Sequence, residues 1–272
     1  MLVVVALIAG YAVARARRRV ARFSTPFDCA ADETFMRSLR EKGYAVREHA
    51  IPRELVLACA EEARGLSHVM KHGQIQNGLQ SDQGARKARG DKMVTLNPRV
   101  ACNTRYLPYL MDKFDLLRTE MNGAVLEAKD THADCTTFML AVYPGDGTGY
   151  VRHKDSDDAH TGRKLTAIVY LNEGWKATDG GSFRIWPGDC GDSDPCEEVA
   201  PDGGKLVVFY SNLWHEVLPV VNGSARIACT AWFSNRADLA AEIIAEERAA
   251  KLDQALKKIA LKKLRRTMNS GK

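Results

Sequence analysis

No two cysteines stand at the CxxC spacing of a structural zinc site, and the seven cysteines, at positions 29, 59, 102, 135, 190, 196 and 229, are scattered through 272 residues. A chain this long has the apolar material for a core of its own and needs no disulfide scaffold, so reduced thiols are expected. No internal repeat and no low-complexity tract occurs, which excludes solenoid and collagen-like architectures. An apolar run of the ~20 residues needed for a membrane-spanning helix is also missing, because the stretch from Leu2 to Ala14 gives way at once to Arg15, Arg17, Arg18, Arg19 and Arg22. Acidic residues are absent from both ends. Five arginines precede Asp28, and seven Lys or Arg follow Asp253. Those twelve charges exceed the net charge of +5, so the body between them is net acidic, which argues against a nucleic-acid-binding surface there.

Both ends read separately from the body. In residues 1–27 the positive cluster follows the apolar stretch, the reverse of a secretory signal. The positive-inside rule would hold the arginines, and the domain after them, on the cytoplasmic side of any membrane that this segment contacts. An acid-free, Arg-rich start also suits an organelle transit peptide, and anchor, transit peptide and unstructured leader all remain open. At the other end, residues 237–266 contain no Gly or Pro and repeat Leu239, Ile243, Leu252, Leu256, Ile259 and Leu264 at near-helical spacing. A C-terminal amphipathic helix with a basic tail, spanning 237–272, is expected.

Residues 28–236 read as one domain, helical first and strand-rich afterwards. Asp32 can cap a helix that ends at Gly43. Pro52 suits the first turn of a second helix running to Met70, and Leu110, Phe114, Leu117 and Met121 mark one face of a third after Pro108. From Thr136 onward, β-branched and aromatic runs alternate with turn residues: TTFMLAVY, KLTAIVYLN, GGSFRIWP, GGKLVVFY, HEVLPVV and ARIACTAWF. The pattern predicts a mainly β fold, a double-sheet jelly roll packed on N-terminal helices. Gly145, Gly147 and Gly149 read as turn formers, since neither a lysine nor a helix start follows them as in a phosphate loop.

His153 and Asp155 lie two apart, so on an extended segment both side chains reach the same side. His215, on a later strand, can supply a third ligand at a barrel mouth. Two imidazoles and one carboxylate with open positions form the facial triad of non-haem Fe(II) oxygenases, although zinc can use the same set. Arg226 lies 11 residues past His215, beyond the Asn222-Gly223 turn. Its planar fork suits bidentate capture of a carboxylate, and an oxo acid could span from metal to guanidinium.

Beyond these four residues, YPGDGTGYVRHKD at 143–155, IVYLN at 168–172, GGSFRIWP at 180–187, WHEVLPV at 214–220 and RIACTAWF at 226–233 resemble the catalytic domain of the hypoxia-inducible-factor type prolyl hydroxylases. The likeness extends back through GLSHVMKHGQIQNG at 65–78 and ARGDKMVTL at 88–96. It implies a double-stranded β-helix that uses Fe(II), 2-oxoglutarate, O2 and L-ascorbate to hydroxylate a proline in a protein substrate, with a role in oxygen sensing where the substrate is a regulatory protein. It also implies that His153, Asp155 and His215 ligate iron and that Arg226 and Tyr170 hold the distal carboxylate of 2-oxoglutarate. By the same likeness Tyr143 walls the metal, Thr230 and Trp232 line the cosubstrate pocket, and Arg89, Gly90, Asp91 and Lys92 form a mobile loop over the substrate. Lys154, at a position that is apolar in the best-known members, and the segment GDCGDSDPCEE depart from that pattern near the substrate entrance. Two other readings carry the same fold: iron chemistry on a different side chain, and a non-catalytic peptide-binding module.

Overall fold

Asp32 and Gly43 bound the first helix as the sequence predicts. The computed structural model describes residues 26–29, 31–73, 89–101, 104–126, 133–156, 162–187 and 196–241. Within it the Asp32 carboxylate accepts from the N–H groups of Thr34 and Phe35 at the start of α1 (Glu33–Lys42), and Gly43 closes the helix in the left-handed region at φ 80°. Helix α2 (Arg53–Gly65) is shorter than expected: Pro52 stands at its cap rather than in its first turn, and a 3-10 turn over Leu66–Val69 replaces its predicted end. After the single turn α3 (Pro98–Ala101), α4 (Leu107–Ala124) buries Leu110, Phe114, Leu117 and Met121 as anticipated.

Eleven strands among the described residues form two antiparallel sheets. They are β1 (Tyr44–Arg47), β2 (Lys71–His72), β3 (Lys92–Leu96), β4 (Cys135–Tyr143), β5 (Tyr150–His153), β6 (Arg163–Tyr170), β7 (Phe183–Ile185), β8 (Glu197–Val199), β9 (Leu206–Tyr210), β10 (His215–Val217) and β11 (Arg226–Ser234). The larger sheet runs β1-β9-β6-β11-β4-β3-β2 and the smaller β5-β10-β7-β8. The run HEVLPVV yields a strand of only three residues. Pro219 carries no N–H for a ladder, and an isolated bridge from Val220 to Gly180 takes over.

Side-chain alternation assigns the faces. On β11, Ile227, Cys229, Ala231 and Phe233 join Leu165, Ala167 and Val169 of β6 in a core shared with Phe35, Leu39, Leu55, Cys59, Phe114 and Leu117 of the helices. The intervening residues of the larger sheet, among them Ile168, Tyr170 and Ala228, face inward and pack with Phe183, Ile185 and Phe209. This period of two means that every second residue of β4, β6 and β11 is delivered to one interior chamber. The smaller sheet closes over that chamber. Gly149 allows the approach of β5 to β10, since a Cβ there would lie 2.3 Å from the Val217 carbonyl oxygen.

Residues 236–241 are helical, and the rest of the span expected as a C-terminal helix lies outside the described residues. Residues 1–25 also lie outside them, so the membrane contact expected of the N-terminal segment finds no support; among the described residues no helix is long and apolar enough to cross a membrane.

Candidate active site

Strand β5 ends on His153, β10 begins on His215, and the two are directly paired across the small sheet. Asp155 follows two residues later, anchored by the bond from its backbone N–H to the Ser211 carbonyl, 2.9 Å. Ligand atoms of His153, Asp155 and His215 all lie within 4.8 Å of one another. The Nε2 atoms of His153 and His215 stand 3.9 and 3.8 Å from the Asp155 carboxylate oxygens.

The two imidazoles are set as ligands. His153 Nδ1 is 2.8 Å from the Val151 carbonyl and His215 Nδ1 is 2.9 Å from that of Leu213. A carbonyl only accepts, so each Nδ1 carries a proton and Nε2 is the ring nitrogen turned toward the carboxylate. Burial, the neighbouring His215 and the Arg89 cation together push the His153 pKa down to about 3, against the opposing pull of Asp155 and the Val151 carbonyl. Burial alone would raise the Asp155 pKa, but the neighbouring His215, His153 and Arg163 side chains and the Trp232 hydrogen bond hold it below the ordinary value. A neutral imidazole and an ionised carboxylate are the protonation states that bind a cation. Two nitrogens and one oxygen fit a divalent metal such as Fe(II).

Asp155 Oδ2 accepts from the Thr166 hydroxyl at 2.8 Å and the Trp232 indole N–H at 2.9 Å, and Thr166 in turn lies 3.0 Å from the Ser211 hydroxyl. Arg163 stacks its guanidinium 4.4 Å from the Trp232 ring centre. Thr166, Ser211 and Arg163 were not anticipated. Thr166 had one signal, its even spacing from Ile168 and Tyr170 on a strand; the other two come close only through tertiary pairing. Trp232, expected beside the cosubstrate, bonds to a candidate metal ligand.

On the larger sheet the same chamber contains a second feature. Arg226 is 2% exposed, its Nε donates to the Gly181 carbonyl at 2.9 Å, and its guanidinium lies 5.0 and 5.2 Å from the ring centres of Tyr170 and Tyr143. Among the described residues no carboxylate lies within ion-pair distance of it. Tyr170 is fully buried, and among the described residues no partner lies within hydrogen-bond geometry of its hydroxyl; burial pushes its pKa up to about 12 against the charge and hydrogen-bonding pull of the adjacent Arg226. A buried guanidinium that meets no described carboxylate, beside a hydroxyl without a described partner, suits an anion, and the pair fits the far carboxylate of 2-oxoglutarate. Thr230 lies on the inward face of β11 between Trp232 and Arg226 and is 6% exposed. Tyr143, with its pKa raised by burial and by Asp91, pairs in register with Arg226. The metal end and the anion end are joined through Phe183 and Phe209, which pack with Tyr170 and lie 5.6 and 4.8 Å from His215.

Residues 89–92, expected as a loop over the substrate, pack against β3, β4 and the segment before β5. Arg89 bridges to Tyr150, the Gly90 N–H donates to the Gly149 carbonyl at 2.9 Å, Asp91 is completely buried, and Lys92 starts β3 in register with His72 and Val142. Arg89 and Asp91 form a two-pronged ion pair at 2.7 and 3.0 Å. Their hydrogen bonds and burial make them part of the barrel wall. The Lys154 ammonium lies 5.1 Å from the Trp214 ring centre.

Comparison with known proteins places this architecture. Residues 138–234 match the model of the 2OG-Fe(II) oxygenase superfamily. The chain is 31% identical over 199 residues to Egl nine homolog 1 of Homo sapiens, an alignment covering 72% of this chain and 44% of that protein. It is 30% identical over 203 residues to prolyl hydroxylase EGLN3 of Mus musculus, covering 72% of this chain and 80% of that one. Thus the chain spans about half the length of the Egl nine homologs of human and rat. Among solved structures it is similar to a Pseudomonas putida prolyl-4-hydroxylase, with TM-score 0.62 and 28% identity over 74% of this chain and 98% of the other. A second is a Trichoplax adhaerens prolyl hydroxylase in complex with a hypoxia-inducible-factor oxygen degradation domain peptide fragment, with TM-score 0.64 and 25% identity over 76% of this chain and 90% of the other.

Proposed function

The chain belongs to the prolyl hydroxylase family of the 2OG-Fe(II) oxygenases, and from that premise we propose that it hydroxylates a prolyl residue of a protein substrate. The observation that carries this reading is the meeting, in one chamber, of a His-Asp-His cluster with the uncompensated Arg226–Tyr170 anion pocket. His153, Asp155 and His215 would hold Fe(II), and Arg226 with the Tyr170 hydroxyl would hold the far carboxylate of 2-oxoglutarate. Bound there, the metal and cosubstrate supply oxidative chemistry in which O2 and 2-oxoglutarate yield succinate, CO2 and one oxygen atom inserted into a substrate C–H bond.

The chain's own residues orient and enclose. The backbone carbonyls of Val151 and Leu213 fix both imidazole tautomers. Thr166 and Trp232 occupy one carboxylate oxygen of Asp155, leaving Oδ1 for the cation. Arg226 neutralises the cosubstrate's distal charge, and Phe183, Phe209 and Tyr170 keep the space between the two ends free of water. Residues 28–236 form the catalytic domain in this reading, with L-ascorbate as the supporting reductant.

The test is to incubate the full chain with proline-containing peptides, Fe(II), 2-oxoglutarate and ascorbate, and to map modified residues by tandem mass spectrometry. The expected result is the mass gain of one oxygen atom on proline, dependent on both Fe(II) and 2-oxoglutarate. Oxygen insertion at a different side chain would contradict the prolyl assignment, and peptide binding without succinate formation would make the chain a binding module.

A further inference from the structure

Residues 89–92 leave a buried ion pair without a role in the scheme above. Asp91 is fully enclosed and Arg89 is nearly so. The pair is packed so closely against Gly73 that a Cβ there would fall 2.3 Å from Arg89 Nε and 2.5 Å from Asp91 Oδ1. A buried pair of this kind adds little net stability over apolar residues of similar volume, so its geometry is the informative feature. The Arg89 guanidinium, pinned by both Asp91 oxygens, rests 4.7 Å from the Tyr150 ring centre, and its Nη2 also lies 3.2 Å from the Met139 sulfur. The Tyr150 ring is stacked on His153, with centres 3.7 Å apart and planes at 20°. His153 already has Nδ1 tied to Val151, and the His215 ring meets it tilted at 57°, with centres 4.2 Å apart.

We propose that Asp91, Arg89 and Tyr150 form a positioning relay for His153, in which the ion pair fixes the guanidinium, the guanidinium fixes the tyrosine ring, and the ring fixes the plane of the imidazole whose Nε2 faces the metal. The Nδ1 bond restrains the ring at one atom only and permits rocking about that contact; the stacked tyrosine removes this remaining freedom. All three are positioning residues that act on the metal through His153. The inference rests on the metal-centre reading of the His-Asp-His cluster.

The test is anaerobic titration of the full chain with Co(II), an Fe(II) surrogate whose visible ligand-field bands report coordination geometry. Four variants are compared with wild type: Tyr150→Phe, Tyr150→Leu, Arg89→Met, and the double variant Arg89→Met/Asp91→Leu, which removes both charges and strands neither. Loss of an outer-shell partner costs about 10-fold to 100-fold in metal affinity. Tyr150→Leu and both Arg89 variants are expected to weaken Co(II) binding about 10-fold and to shift or broaden the bands. Tyr150→Phe, which keeps the ring, should restore wild-type affinity and spectrum. Thermal unfolding identifies any variant that fails to fold, and the half-buried Tyr150 pair decides the matter if the Arg89 variants do. Wild-type affinity and an unaltered spectrum in folded Tyr150→Leu or Arg89 variants would overturn the relay, as would a change confined to substrate-peptide affinity, the behaviour of a substrate lid. A wild-type chain that binds no Co(II) would overturn the metal centre itself.

Discussion

Arg226 carries a positive charge into a chamber where no described carboxylate meets it, and the cost of that arrangement is repaid only when an anion arrives. Removing it in Arg226→Ala should cost about 2–5 kcal/mol of 2-oxoglutarate binding, which is about 30-fold or more in half-saturation. Arg226→Lys should recover only part, because one ammonium cannot reproduce the fork. Iron content should stay at the wild-type level, and a near-wild-type half-saturation would mean that another cation holds the cosubstrate. The reverse split is expected for Thr166→Val. Asp155 Oδ2 then loses one of its two donors, so Fe(II) affinity, followed by equilibrium dialysis, should fall about 10-fold while 2-oxoglutarate half-saturation at saturating iron changes little. Equal iron affinity in the variant and wild type would show that Thr166 does not orient the carboxylate.

Among the elements, α4 begins without a capping side chain of its own. Glu62 of α2 supplies the cap from a distance, accepting from the N–H groups of Arg105, Tyr106 and Leu107 at 2.6 to 3.0 Å. A carboxylate on three orphan donors at a helix start is favoured by both hydrogen bonding and the helix dipole. Glu62→Gln should therefore lower stability by about 1–3 kcal/mol, read from urea unfolding, and leave metal affinity intact; an unchanged unfolding midpoint would refute the cap. This contact illustrates the limit of a local reading. The cap of α1 was legible because Asp32 and Gly43 sit at its own ends, whereas Glu62 acts 43 residues away from the nearest group it binds. The strands of β4, β6, β9 and β11 were legible from long β-branched runs, but β1 and β8, at four and three residues, carry too short a pattern to stand out. The packing of Arg89, Gly90 and Asp91 was not legible, because charged and glycine residues in sequence suit an exposed turn, and only pairing with Tyr150, Gly149 and β4 encloses them.

At the scale of the whole molecule, two sheets supply different halves of one chemistry. The smaller sheet presents His153 and His215, with Asp155 just beyond β5, while alternate residues of the larger sheet present Tyr143, Tyr170, Thr230 and Arg226 to the same interior. The spacing of His153 and Asp155, the later His215 and the turn before Arg226 made this meeting readable, since antiparallel strands return to the same mouth. What spacing could not convey was the support around each group, because Thr166, Ser211 and Arg163 reach Asp155 only once β6 and the turn after β9 are packed. The most direct measurement is a crystal structure of the full chain grown without O2 in the presence of Mn(II) and 2-oxoglutarate. The expected result is an anomalous peak bounded by His153 Nε2, His215 Nε2 and an Asp155 carboxylate oxygen, with one end of the dicarboxylate on the metal and the other on Arg226 and the Tyr170 hydroxyl. A metal bound away from those three side chains, or a distal carboxylate seated on any other cation, would contradict the account.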